Sequence, residues 1–308
     1  MYSMLHRRLA AGQPVVTGEI APPKGADRGH VEKLVRGLQG TVDAINFTDN
    51  QRGIARMSAL GAAIIARQMG AEPIVQITCQ NRNRLAIQAD VLSAAALGIA
   101  HFLCMTGDHP RNGDHPLCKN VLDLNSFKLL QMLRTMRDRQ TFDTGGELKG
   151  APRFLVGGVA NPNIEKVERL EKKIEAGAEF IQTQIIFDTE RFRTWMHDVR
   201  AAGLHQQASI LAGVMIPRSV KSVHYLKDTL PGMSIPDPIV ERMQRASDEE
   251  HEGVVLAAEI VKELLSIEGV AGVHLMSVGW TRSMPHVVEH AGLLPRPEVP
   301  VPPDTLDV

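Results

Sequence analysis

The chain has 308 residues, 44% of them apolar, with a formal net charge of −1. This is enough apolar material for a large buried core, and it excludes a disordered chain. Near-neutral charge, no apolar run near the ~18 residues of a membrane span, and few aromatic residues argue against nucleic acid or a membrane as partner.

The N-terminal stretch MYSMLHRRLAAGQPVV is too short and too polar for a secretory signal. Val15–Ala21 predicts a strand carrying Glu19 and stopped by Pro22-Pro23. Arg28–Leu38 has helical spacing at Val31, Leu34, Val35 and Leu38. Asp43–Thr48 predicts the second strand, Met57–Met69 a helix, and Pro73–Cys79 the third strand. The Ala-rich stretch Arg84–Leu97 reads as a helix, His101–Met105 as the fourth strand, and Ser126–Arg137 as the next helix. Arg153–Ala160 is the fifth strand, where Gly157 and Gly158 suggest a close approach by backbone or ligand. A charged helix over Ile164–Ala176 leads to the sixth strand, Glu179–Ile186. Thr189 is the expected cap of a helix reaching Ala202. Ser209–Ile216 is the seventh strand, followed by a short helix from Ser219 and a Pro-rich insertion over Pro231–Pro238. Ser247, with Glu249 and Glu250, opens a long helix to Leu265; Val273–Val278 is the eighth strand, and a last helix follows Arg282.

Eight strand-then-helix units of roughly 30 residues predict a single (β/α)8 TIM barrel. The apolar strands suit a parallel sheet buried on both faces. No GxGxxG follows the first strand and no GxxxxGK[ST] occurs, which disfavours a doubly wound nucleotide fold. The expected organisation is one domain over 1–298 and a Pro-rich tail, Val299–Val308. Cys79, Cys104 and Cys118 form no CxxC pair, so reduced thiols and a cytoplasmic location are expected.

Barrel enzymes work at the C-terminal ends of their strands. Those ends carry Glu19, Thr48 with Asp49 and Asn50, Gln76 with Thr78, Thr106 with Asp108, Asn161, and Gln182 with Gln184. An unpaired carboxylate inside an apolar strand is costly, which favours a general-acid role for Glu19. Asp108 reads either as an active-site carboxylate or as a turn cap. Gln184 reads as a ligand contact or as hydrogen-bonded core, and Lys172 and Lys173 as anion contacts or as a solvated helix face. Asp108, His109, Asp114 and His115 resemble a metal loop, but one loop without a partner cluster is a weak signal, so no metal is expected. The residues alone predict a barrel enzyme with an acid–base rim. A metal-dependent barrel lyase and a non-catalytic barrel that scaffolds a redox partner are the alternatives.

An ordered set of motifs makes the reading sharper. It comprises Glu19-Ile20-Ala21-Pro22-Pro23, Ile77-Thr78-Cys79, Thr106-Gly107-Asp108 with Pro110, and Gly158-Val159-Ala160-Asn161-Pro162. Lys173 through Gln184, Phe187-Asp188, Gly213 through Pro217, and Gly272-Val273-His274-Leu275 complete it. In this the chain resembles the methylenetetrahydrofolate reductase family over nearly its whole length. The resemblance implies a flavin-dependent barrel that reversibly reduces 5,10-methylenetetrahydrofolate to 5-methyltetrahydrofolate. It implies that Glu19 is the general acid, that Asp108 lies between flavin and pterin, and that Gln184 contacts folate. Thr48, Gln76, Thr106, Gly107, Asp108, Asn161, Lys172 and Lys173 fall at flavin-contacting positions, the two lysines near the phosphates.

The sequence also departs from the family pattern. Gln76 stands for a His, Thr106 for an Arg, Asn161 for a Tyr, and Val220 for a Phe that stacks on nicotinamide and folate. Met276 and Trp280 replace a Tyr and an Arg near the substrate tail. These changes resemble the reductase subunits of acetogenic bacteria, which work with an iron–sulfur partner protein. The expected cofactor is FAD, with FMN as the alternative, and direct use of NAD(P)H stays open. A folate substrate, an iron–sulfur partner subunit, an oligomeric state and no eukaryotic-type regulatory domain complete the expectation.

Overall fold

A computed structural model describes residues 3–229 and 232–298. Among them, eight parallel strands close in chain order, the first pairing with both the second and the eighth. The strands are β1 (Val15–Ile20), β2 (Ala44–Phe47), β3 (Pro73–Thr78), β4 (His101–Met105), β5 (Leu155–Ala160), β6 (Phe180–Ile185), β7 (Ser209–Met215) and β8 (Val270–Met276). The helices are α1 (Met4–Ala10), α2 (Arg28–Leu38), α3 (Ala59–Gln68), α4 (Arg84–Ala96), α5 (Ser126–Asp138), α6 (Val167–Glu175), α7 (Thr189–Ala201), α8 (Val220–Thr229), α9 (Asp237–Arg245), α10 (Glu249–Leu265) and α11 (Met284–His290). The predicted TIM barrel is therefore the fold.

Local chemistry starts the outer helices. Asp27, Ser58, Asn83, Asn125, Asp188 and Asp248 each accept a first-turn amide as N-cap. The expected cap Thr189 is instead the first helical residue, and Asp248 rather than Ser247 opens the long helix. In both cases a carboxylate sits one residue from the chosen hydroxyl and reaches the amide. Two helices escape the sequence reading: α1, and α9, which begins inside the Pro-rich insertion with Pro238 in its first turn. The eighth strand runs three residues earlier at its start than expected, and the charged helix starts at Val167 rather than Ile164. The tail over Val299–Val308, and Pro231 of the insertion, lie outside the described residues.

Alternation along each strand divides the barrel interior into layers. At the N-terminal end Val15, Ala44, Ile74, Leu103, Leu155, Phe180 and Leu211 pack around Leu5 of α1. This helix plugs the barrel floor, and fully burying one Leu is worth about 2 kcal/mol. A β-carbon on Gly157 would lie 2.2 Å from the Phe180 ring. That glycine makes room for a side chain of the floor, rather than for the backbone or ligand that the sequence suggested. Two residues further along the strands the interior turns polar, with Thr17, Asn46, Gln76 and Gln182 all buried. Glu19, Thr48 and Gln184 stand one more step towards the mouth, on the same strand faces.

Candidate active site

Glu19 is the penultimate residue of β1, its side chain 14% exposed. Its Oε2 accepts from Gln76 Nε2 at 3.0 Å and lies 3.5 Å from His274 Nε2. The other face of His274 meets Thr17 Oγ1 at 2.9 Å through Nδ1. Thr17 in turn accepts from Gln182 Nε2 at 3.3 Å. Gln182 and Asn46 then pair reciprocally across the barrel, at 2.6 and 3.1 Å. One polar chain thus joins β2, β6, β1 and β8 to the carboxyl at the mouth. Net worth is about 1 kcal/mol per bond, and a similar or larger cost follows if a buried partner is left unpaired.

Thr48 lies at the end of β2, and its Oγ1 is buried with no hydrogen-bond partner. Beside it Asp49 Oδ2 accepts from the Thr78 amide at 3.0 Å and its hydroxyl at 2.8 Å, and pairs with Arg82. Asp49 is therefore committed to joining β2 and β3. Gln76 is buried, as is Gln80, which bonds Asn120.

Asp108 is exposed, and its Oδ2 accepts from the Arg52 amide at 2.6 Å. Among the described residues Asp108 thus caps no turn of its own loop but ties the loop after β4 to the loop after β2, with one carboxylate oxygen so engaged. Arg52 occupies left-handed backbone space, φ 62°, and its guanidinium lies 5.5 Å from the Tyr225 ring of α8. The loops after β2 and β4 and helix α8 therefore meet around Asp108. Thr106 is exposed next to it. Gly107 has φ +90°, and a β-carbon there would lie 2.7 Å from Thr78 Cβ and 2.9 Å from Gln80 Cβ. Only glycine fits this position.

Asn161 after β5 caps a local turn: Oδ1 accepts from the Asn163 amide at 3.1 Å, and its own amide donates to Glu165 Oε2 at 3.1 Å. Lys173 of α6 is buried and turned inward, with Nζ donating to Val159 O at 2.6 Å and Glu165 Oε2 at 2.9 Å. Burial pushes its pKa down from the ordinary lysine value, and Glu165 partly offsets this. Lys172, the next residue back, is exposed. Gln184 is half-buried, its Oε1 accepting from the Ile185 amide at 3.0 Å.

The loop from Asp108 to His115 does not converge. Asp114 binds the Ala55 amide, His115 and Lys24, and the first of these does most to hold its carboxyl far below the usual range. Among the described residues, no group of three or more His, Cys, Asp or Glu side chains is placed to hold a metal ion. The same residues include no helix long and apolar enough to cross a membrane. At the corner of β7 and β8, Glu249 Oε2 accepts the Val220 amide at 3.0 Å, and Arg218 pairs with Glu250 at 2.8 Å. Arg218 also lies 5.8 Å from the ring of the buried Trp280.

Strand ends read from the sequence thus include Glu19 and Gln76, which touch, and Gln182, which reaches them through Thr17 and His274. The sequence reading missed Thr17, Asn46 and His274 as site residues. The signal was present: Thr17 and Asn46 lie two residues before Glu19 and Thr48, on the same inward face.

The family model for methylenetetrahydrofolate reductase matches residues 4–292. Methylenetetrahydrofolate reductase 2 of Saccharomyces cerevisiae is 24% identical over 302 residues, covering 94% of this chain and 48% of the yeast protein. Methylenetetrahydrofolate reductase (NADH) 1 of Arabidopsis thaliana is 25% identical over 300 residues, covering 92% of this chain and 49% of the plant protein. The chain spans about half the length of these curated relatives. Among solved structures, a Clostridium thermocellum protein described as binding two copies of 5-methyl-5,6,7,8-tetrahydrofolic acid superposes with a TM-score of 0.66 at 16% identity, covering 95% of this chain and 100% of that one. A long-chain alkane monooxygenase superposes at 0.56 with 12% identity, covering 92% of each chain. These two likenesses concern the barrel fold, whereas the family model spans nearly the whole sequence. The chain belongs to the methylenetetrahydrofolate reductase family.

Proposed function

We propose that this chain reduces 5,10-methylenetetrahydrofolate to 5-methyltetrahydrofolate, reversibly, with Glu19 as general acid and a bound flavin as redox cofactor. The observation that carries this is a carboxyl on the mouth end of β1, held by Gln76 and facing His274, in a member of this family. When bound, a flavin supplies hydride from N5. Glu19 gives its proton to the bridging nitrogen of the methylene ring, which opens to an iminium carbon able to accept that hydride. Proton and hydride together make the methyl group and a free amine, so the step balances. Gln184 contacts the folate, as does Asp108, whose other role is to tune the flavin electrostatically.

The chain's own groups fit a flavin at this mouth. The buried Thr48 hydroxyl lacks a partner and suits the polar edge of a ring. Gly107 packs the turn after β4 against Thr78 and Gln80 of β3 and its loop, which sets Thr106 and Asp108 on the rim near Gln76. Asn161 and Lys172 are the residues for the phosphate end, FAD being favoured over FMN, while Lys173, matched to the phosphates by the family resemblance, has its ammonium turned inward onto Val159 O and Glu165.

The physiological donor in this reading is an iron–sulfur partner subunit, with weak direct use of NADH or NADPH. Val220 offers no ring for nicotinamide, and an absent aromatic contact forfeits roughly 0.5–1.5 kcal/mol. Arg218 and the α8 amide at Val220 are already taken by Glu250 and Glu249. Exposed apolar side chains at Leu117, Val121, Leu122, Ile164 and Val278 stand on strand-to-helix loops around the mouth, a surface suited to a protein partner. The test is steady-state turnover of the flavin-loaded chain. Oxidation of 5-methyltetrahydrofolate by a one-electron dye should proceed well, and NADH-driven reduction of the methylene substrate poorly. NADH turnover by the chain alone in the ordinary range of ~1–10³ s⁻¹ would remove the partner from the scheme.

A further inference from the structure

The polar chain behind Glu19 has a direction. Gln182 and Asn46 pair amide to amide, and in the orientation the structure gives them the second Gln182 N–H points at Thr17 Oγ1, 3.3 Å away. That hydroxyl, already accepting, has one proton to give. Its two acceptors in reach are His274 Nδ1 at 2.9 Å and Val273 O at 3.5 Å. The shorter contact wins on geometry. An imidazole that accepts at Nδ1 carries its hydrogen on Nε2, the atom facing Glu19 Oε2. Gln76 donates to the same oxygen.

We propose that His274 is the positioning residue for Glu19, its tautomer set through Thr17 by the Gln182–Asn46 pair, so that the transferable proton of Glu19 resides on Oε1. Gln76 donates to Oε2 and the His274 Nε2–H faces the same oxygen from 3.5 Å, so Oε2 is kept as an acceptor. The carboxyl can then carry a proton only on its other oxygen. This rests on reading Glu19 as the acid, but the hydrogen-bond direction is a property of the resting protein. Thr17 is fully buried and His274 nearly so, which keeps water from competing for either contact.

The experiment is nitrogen NMR of the ring-labelled full chain, with His274 assigned by difference from His274→Gln. The expected spectrum shows a protonated Nε2 and an unprotonated Nδ1. Thr17→Val should remove the donor and shift His274 towards the Nδ1–H form, while Thr17→Ser restores the wild-type signal. In dye-linked turnover, Thr17→Val should lower kcat about tenfold, the scale of losing a supporting hydrogen bond behind a reactive group, with KM unchanged, and Thr17→Ser should recover it. A wild-type His274 protonated at Nδ1 overturns the proposal, whether or not the Thr17 variants fold. So does an Nε2–H tautomer that persists in Thr17→Val, or a Thr17→Val enzyme with wild-type kcat. The tautomer is read without turnover, so its failure and that of the reductase reading are distinguishable.

Discussion

Lys173 and Lys172 are neighbours in sequence with different work. Lys173 is buried against Val159 O and Glu165, which also receives the Asn161 amide and Arg169. It therefore anchors the β5–α6 loop before any ligand arrives. Removing a buried ammonium strands two acceptors, a loss of about 2–3 kcal/mol. Lys173→Ala should show that loss by urea unfolding of the flavin-free chain, whereas Lys172→Ala should stay within about 0.5 kcal/mol, as exposed substitutions do. Equal stability of the two variants would contradict the anchoring role. A Lys172→Ala variant that loses flavin without losing stability would mark Lys172 as the phosphate contact.

At the scale of elements, helix α1 is the part of the fold that the sequence hid and the barrel needs. Short and mixed in polarity, it carries no long apolar period, and its purpose appears only when Leu5 meets the seven side chains of the floor. The repeating strand-and-helix pattern, by contrast, was legible throughout, because each strand is apolar and each helix has one apolar face. Strand ends were legible for the same reason, which is how Glu19, Gln76 and Gln182 emerged. His274 was not, since a single His in an apolar strand reads as core until β8 is seen beside β1. Helix α1 is pinned by Arg8, which pairs with Asp43 at 3.1 Å, and by Ser3 Oγ, 2.7 Å from the buried His101 Nε2. Burial holds the His101 pKa below 6.5, with Glu72 and the Pro73 carbonyl opposing in part. His6 is shifted the same way, again chiefly by burial. Below 6.5 the unfolded chain takes up protons that the native rings refuse, so stability present above 6.5 falls as pH drops through that window. Urea midpoints at about pH 7.5 and about pH 5.5 should show this fall, and His101→Gln should flatten it. An unchanged pH dependence in His101→Gln would show that the plug is not the acid-sensitive element.

The whole molecule separates stability from chemistry along the barrel axis. An apolar floor sealed by α1 lies at one end, a cross-barrel polar chain occupies the middle, and Glu19, Thr48, Asp108 and Gln184 stand at the mouth. Apolar side chains on the mouth loops add a surface that the chain alone does not cover. Such a division lets the polar chain be buried and fully paired, hence rigid, while the loops above it vary. Of the departures from the family pattern, Thr106, Asn161, Val220, Met276 and Trp280 lie at or beyond strand ends, Gln76 lies in the buried polar layer on β3, and none is in the floor. Among them Gln76 touches Glu19, donating to its Oε2. In the proposed reaction Glu19 moves the proton that couples folate to flavin. The most direct measurement mixes flavin-loaded protein with 5-methyltetrahydrofolate under anaerobic conditions and follows the flavin absorbance. The wild-type flavin should bleach, and Glu19→Gln should bind flavin yet bleach slower by a factor of about 10² or more, the usual contribution of general acid–base catalysis. A bound flavin that never bleaches in the wild type, or a Glu19→Gln variant that bleaches at the wild-type rate, would contradict it.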